Sequence, residues 1–180
     1  MLNRYCYMFA LMLAFVIPSI VLAAPTLEEK KATAHKALEE FKEKGPVIRE
    51  FLNKSYGYVI FPTVGEGGFI IGGGHGSGGM VYERGRLIGT ASVTQFSVGA
   101  LIGGQKYREL IFLEDKGTME RFKQGRFELD AKASAIIAQE GIAKDANFTG
   151  GMAIFTLPVG GAMANASVGG QVLSFKPLGQ

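Results

Sequence analysis

The tract from Gly57 to Leu113, GYVIFPTVGEGGFIIGGGHGSGGMVYERGRLIGTASVTQFSVGALIGGQKYRELIFL, restricts what this chain can fold into more than any other stretch. Short apolar runs, Tyr58 to Phe61, Phe69 to Ile71, Met80 to Tyr82, Phe96 to Ile102 and Leu110 to Leu113, are separated by glycine clusters and one Arg-Gly-Arg turn. That pattern predicts consecutive antiparallel strands. Fourteen of the 26 glycines fall between Gly65 and Gly104. Glycine inside a strand costs conformational entropy and packs nothing, so this density marks bulges, sharp bends or the close approach of another backbone or a ligand.

Length allows one domain, residues 24–180, behind a targeting segment, residues 1–23. The first residues have a signal-peptide layout: Arg4, an apolar run from Met8 to Val21 interrupted by Pro18, and small residues at Ala23-Ala24. The run is shorter than the roughly 20 residues that span a bilayer, and cleavage is expected after Ala23. The single cysteine, Cys6, precedes the apolar run, so the mature chain carries no disulfide, thiolate metal site or cysteine nucleophile. Net charge is +3, and +2 without Arg4, which argues against nucleic acid as a partner.

Thr26-Leu27-Glu28-Glu29 forms a capping box and predicts a helix start. Leu27, Ala34, Leu38 and Phe41 make one apolar stripe, with charged residues over most of the remainder and Gly45 as the stop. Pro46 opens a second short helix through Val47, Ile48, Phe51 and Leu52. Gly74 to Gly79 matches G-x-G-x-x-G, but the strand-like Met80-Val81-Tyr82 follows instead of a helix, so it reads as a hairpin or bulged strand. Thr94 to Ile102 alternates, with Phe96, Val98, Ala100 and Ile102 on one face and Gln95, Ser97 and Gly99 on the other. Asp115-Lys116-Gly117 closes the strand ending at Leu113, and Thr118 to Gln124 is a short helix stopped by Gly125. Phe127 to Ile137 has period two and predicts a half-buried strand, while the alanines also suit a helix from Lys132 onward. Gly150 to Pro158 and Gly160 to Phe175 supply the closing strands of a tightly rolled sheet.

No catalytic pattern is present. His35 and His75 have no metal-ligand spacing, and no G-x-S-x-G or phosphate-binding loop occurs. Neither an enzyme, a cofactor nor a metal is expected. The basic residues Arg84, Arg86, Lys106 and Arg108 fall at predicted strand ends and turns, where they suit a cationic rim for anionic headgroups. Lys30, Lys31 and Lys36 of the first helix are candidates for the same role.

Ile60-Phe61-Pro62-x-Val64, Gly68-Phe69-Ile70-Ile71-Gly72-Gly73, Gly76-x-Gly78, Ser97-Val98-Gly99-x-x-Ile102-Gly103-Gly104-Gln105 and Glu109-Leu110-Ile111-Phe112 occur in this order. The core carrying them resembles the SYLF-domain family, a lipid-binding module of yeast and animal actin-organising proteins and of many bacterial secreted proteins. The resemblance implies binding of anionic phospholipids, helped by an N-terminal amphipathic helix, which here is Thr26 to Lys44. Glu66 stands where members often carry a lysine, and no tryptophan lies between Leu87 and Phe96, where one is common. A signal peptide without an accompanying module argues against actin as a partner.

The expected fold is α+β, with N-terminal helices packed on a strongly bent, mostly antiparallel, glycine-rich, barrel-like sheet. The expected function is that of an exported, periplasmic or secreted, non-enzymatic protein associated peripherally with membranes through anionic phospholipid headgroups. The alternative is a self-associating structural envelope protein, a homo-oligomer paired through its glycine-rich strands.

Overall fold

The computed structural model describes residues 24–124, 127–129, 136–137 and 146–179; within the strands, the side chains of 68–72, 97–102, 127–129, 136–137 and 161–169 are not among those described. The expected signal segment, residues 1–23, lies outside the described residues, as do Gly125 and most of the expected strand from Phe127 to Ile137.

Helix α1, Leu27–Glu43, begins where the capping box predicts. Thr26 Oγ1 accepts from the Glu29 amide at 3.2 Å, and Glu29 Oε2 accepts from the Thr26 amide at 2.7 Å. Its buried stripe is Ala34, Ala37, Leu38 and Phe41, whereas Leu27, at the first helical position, is exposed. Helix α2, Pro46–Lys54, has proline in its first turn, where the missing amide hydrogen costs no helical bond. Helix α3 is Lys116–Lys123, starting two residues earlier than the sequence suggests, because Asp115 acts as N-cap and accepts from the Thr118 amide at 2.7 Å.

Three long strands dominate the sheet: β1, Gly57–Glu83; β2, Arg86–Leu113; and β5, Met152–Pro177. Two short ones, β3, Phe127–Leu129, and β4, Ile136–Ile137, pair with β5, the first antiparallel and the second parallel. The order is β1-β2-β5-β3, and among the described residues β1 and β3 do not pair, so the sheet is not closed. The glycine clusters therefore do not separate short strands as their spacing suggested. They lie inside continuous strands, where the register shifts between Phe61 and Val64, Phe69 and Ile71, and Gly76 and Gly79. Gly78, with φ of 72°, takes a conformation that β-carbon residues rarely adopt, and the expected bulge at Gly74 to Gly79 is found there. The Arg84-Gly85 turn links β1 to β2 with both residues at positive φ, 48° and 78°.

A flat strand as long as β1 would span roughly 90 Å at about 3.3 Å per residue. Instead β1 doubles back about Ile70. The Arg84 amide donates to the Tyr56 carbonyl at 3.0 Å, and the rings of Tyr58 and Tyr82 stack with centroids 4.8 Å apart. Ile60 and Met80 share one apolar cluster with Ala34, Phe41, Ile48 and Phe51, so α1 and α2 cover the seam where the two ends of β1 meet. A second cluster fills the inside of the rolled sheet, joining Val59, Phe61, Val81, Val93, Ile111 and Leu173 to Met119 and Phe122 of α3.

Candidate functional site

Rolling the sheet divides it into a turn end, where Arg84 and Arg86 lie beside the start of β1, and a folded end near Ile70. The folded end is built from uncharged sequence. No Asp, Glu, Lys or Arg occurs between Glu66 and Glu83, between Arg86 and Lys106, or from Ala146 to Phe175. Close to it, Phe96 and Val159 are 59% and 50% exposed. Phe96, expected on one strand face with Val98, Ala100 and Ile102, points outward; the other three side chains lie outside those described. On β2, Val93, Tyr107, Glu109 and Ile111 turn into the rolled sheet.

A groove of about 560 Å³ opens near the folded end, lined by Gly65, Glu66 and Gly67 of β1, Gly104, Gln105 and Lys106 of β2, and Gly160 of β5. Four of those seven positions are glycine, so backbone and the three remaining side chains define its chemistry. Lys106 is exposed at the rim and Glu66 is buried, 6% exposed.

Beneath the groove lies a polar network that the sequence reading missed. Gln95 Nε2 and Gln105 Nε2 each donate to Glu66, at 3.0 Å to separate carboxylate oxygens. The Tyr107 hydroxyl donates to Gln95 Oε1 at 2.5 Å, although the two residues are 12 apart in one strand. Gln171 Nε2 donates at 3.3 Å to both Gln95 Oε1 and Glu109 Oε2. Tyr107 and Glu109 are buried. Loss of water pushes the Tyr107 phenol upward, with the Glu109 and Glu66 carboxyls adding to the effect. The only trace of this network in the sequence is the interruption of apolar alternation by Gln95, Gln105 and Glu109 on one face of β2.

The basic residues picked out by sequence do not gather into one rim. Arg84 and Arg86 are exposed at the turn end, with the Arg84 guanidinium 5.7 Å from the Tyr56 ring. Lys106 pairs across the sheet with Gly65, and the eight steps along the strand from Gly57 to Gly65 put roughly 26 Å between the two ends. Arg108 is held by α1: its Nε and Nη2 donate to the two Glu40 oxygens at 2.6 and 3.0 Å, and its Nη1 donates to the Pro62 carbonyl at 2.8 Å. Lys31 pairs with Glu28 at 2.7 Å, and Lys36 is exposed on α1. Lys30 lines a second groove of about 370 Å³ with Pro25, Thr33, Pro62, Thr63, Ser77 and Gly78. Among the described residues no group of three or more His, Cys, Asp or Glu side chains is placed to hold a metal, and no helix is long and apolar enough to cross a membrane.

No family model matches the chain. It is similar to Beta cell expansion factor A of Aeromonas veronii, with 24% identity over 137 residues. The alignment covers 76% of this chain and 52% of that protein, so the chain spans about half the length of the curated relative it matches.

Proposed function

We propose that this chain is a SYLF-like, exported lipid-binding protein without catalytic chemistry, which associates peripherally with anionic phospholipid surfaces through the folded end of its sheet. The observation that carries the reading is the uncharged passage of all three long strands through that end, beside exposed Phe96 and Val159. Such a surface loses little on leaving water, whereas each buried charge would cost several kcal/mol in a hydrocarbon setting. Lys106, at the boundary of the uncharged region, is placed to meet headgroup phosphates, and each cation near an anionic surface contributes about 1 kcal/mol. Arg108 is given to Glu40 and is not assigned to the lipid contact.

The alternative of self-association through strand edges has less to work with. The two ends of β1 meet under α1 and α2, which leaves that part of its edge occupied.

Co-sedimentation of the chain with neutral and with anionic vesicles, at low and moderate salt, tests the proposal. Binding is expected to anionic vesicles and to weaken with salt as exposed charges are screened. Absence of binding to either vesicle, together with a concentration-dependent mass in sedimentation, sinks the lipid reading in favour of self-association.

A further inference from the structure

Glu109 and Gln171 each bury an oxygen that has no hydrogen-bond partner, Glu109 Oε1 and Gln171 Oε1. Their other two polar atoms already face each other, with Gln171 Nε2 donating to Glu109 Oε2 at 3.3 Å. The orientation of each amide follows from its neighbours. Glu66 offers acceptor oxygens to Gln95 and Gln105, so Gln95 must present its nitrogen to Glu66 and its oxygen to Tyr107 and Gln171. Gln171 must then present its nitrogen to Gln95, and turning it over would set oxygen against oxygen. Its Oε1 is left needing a donor; the Tyr107 hydroxyl, which also bonds Gln171, gives its hydrogen to Gln95 Oε1, and that leaves the Glu109 carboxyl as the group able to supply one.

We infer that Glu109 is held in the folded protein as a neutral carboxylic acid whose Oε1 proton is donated to Gln171 Oε1, closing a cyclic acid–amide pair that latches one half of the rolled sheet to the other. One added proton satisfies both orphaned oxygens. The pair crosses the inside of the sheet, because Glu109 is registered with Phe61 and Thr156, while Gln171 is registered with Gln95 much further along β5. The titratable groups facing Glu109 are Glu66 from β1 and Tyr107 from its own strand; β5 contributes neutral Gln171, and no lysine or arginine among the described residues bonds to it. Consistent with that setting, burial pushes the Glu109 carboxyl up to about 8, the nearby Glu66 adding to the rise against the Gln171 hydrogen bond. Ionisation breaks the pair by turning the donor into a second acceptor and leaves a charge between the sheet halves. The latch therefore loosens on the alkaline side of neutrality, whether or not the protein binds lipid.

The test is infrared difference spectroscopy on the whole chain across pH 5 to 10, with Glu109→Gln as the subtraction. A protonated-carboxyl band absent from the variant, and lost with a midpoint near 8, is expected. Gln171→Met keeps the acid but removes its acceptor, so it should shift the same band and assigns it even if Glu109→Gln does not fold. Equilibrium unfolding gives a second readout. The raised folded value means that the wild-type folding constant, relative to Glu109→Gln, falls about tenfold per pH unit from near 4.5 to near 8 and then levels off. An ionised Glu109 at pH 6 whose signal responds to added sodium or calcium would show that a cation fills the pair, and overturn the inference. A carboxyl midpoint near the ordinary 4.5, or a flat stability ratio, would overturn it as well.

Discussion

The guanidinium of Arg108 on β2 grips both oxygens of Glu40 on α1, at 2.6 and 3.0 Å, and donates a third bond to the Pro62 carbonyl at 2.8 Å. A residue that reads in the sequence as one more surface cation is thus a strut between the helical layer and the sheet. Fork-to-fork geometry of this kind needs the planar guanidinium, and a lysine supplies only a point charge. Arg108→Ala is expected to lower unfolding free energy by about 1–3 kcal/mol, with Arg108→Lys recovering little of it. Urea unfolding measures this directly. Full recovery by lysine would show that charge alone, rather than the fork, holds α1.

Gly57 is a second joint of the rolled sheet. A β-carbon there would overlap the backbone carbonyl oxygen of Tyr82 and the Met119 terminal methyl, and the backbone atom has nowhere to move without opening the seam. Gly57→Ala should therefore cost about 1–3 kcal/mol through overpacking. Gly65→Ala is the control, since a β-carbon at that position meets nothing within 4 Å. It is expected to leave stability unchanged or to raise it slightly by restricting the unfolded chain. Equal losses in the two variants, measured by thermal unfolding, would attribute the effect to glycine loss in general rather than to the seam.

Local signals in the sequence were read at the scale on which they act. Thr26 with Glu29, Pro46, the Arg84-Gly85 turn and the bulge near Gly78 each declare themselves within a few residues, and each is found in place. The roll of the sheet depends on meetings across long separations, such as Tyr107 with Gln95, which no local period encodes. For that reason the apolar runs read as separate short strands, although they belong to long ones that bend and bulge at the glycine clusters. Phe96 shows the same limit on the surface: alternation identifies its face but does not say which side of a rolled sheet is outside. The buried polar network was illegible because Gln95, Gln105 and Glu109 look, strand by strand, like solvent-facing residues. Only the roll turns that face inward.

Carboxyl groups in this fold have opposite linkages to pH. Glu40 is held below its ordinary 4.5, chiefly by the Arg108 hydrogen bond, and Glu83 likewise by the Lys123 bond at 2.7 Å. A depressed folded value gives stability that is present above about 4.5 and lost as pH falls below it. Glu109, raised to about 8, acts in the other direction, and its contribution declines as pH climbs from about 4.5 to about 8. The two together place maximum stability at about pH 5. Chemical unfolding from pH 3 to 9 should trace that dome. Glu40→Gln with Glu83→Gln should flatten its acid side while leaving the alkaline side as it is, and an unchanged acid limb would rule out these two pairs as its source.

The proposed lipid contact implies one orientation on a bilayer, set by which end of the sheet is free of charge. With the folded end toward the lipid, Lys106 meets headgroups, whereas Arg84 and Arg86 point away at roughly 26 Å along the strands. Lys106→Glu removes one attraction and adds one repulsion, which is about 2 kcal/mol or roughly thirtyfold in vesicle partitioning at low salt. Phe96→Ser removes apolar surface that is 59% exposed in the free protein and should weaken partitioning by about 1–2 kcal/mol with little dependence on salt. The double variant Arg84→Glu with Arg86→Glu is expected to partition as the wild type does. A reversed pattern, with the turn-end variant losing binding while Lys106→Glu and Phe96→Ser remain unchanged, would invert the orientation and move the lipid contact to the Arg84 turn.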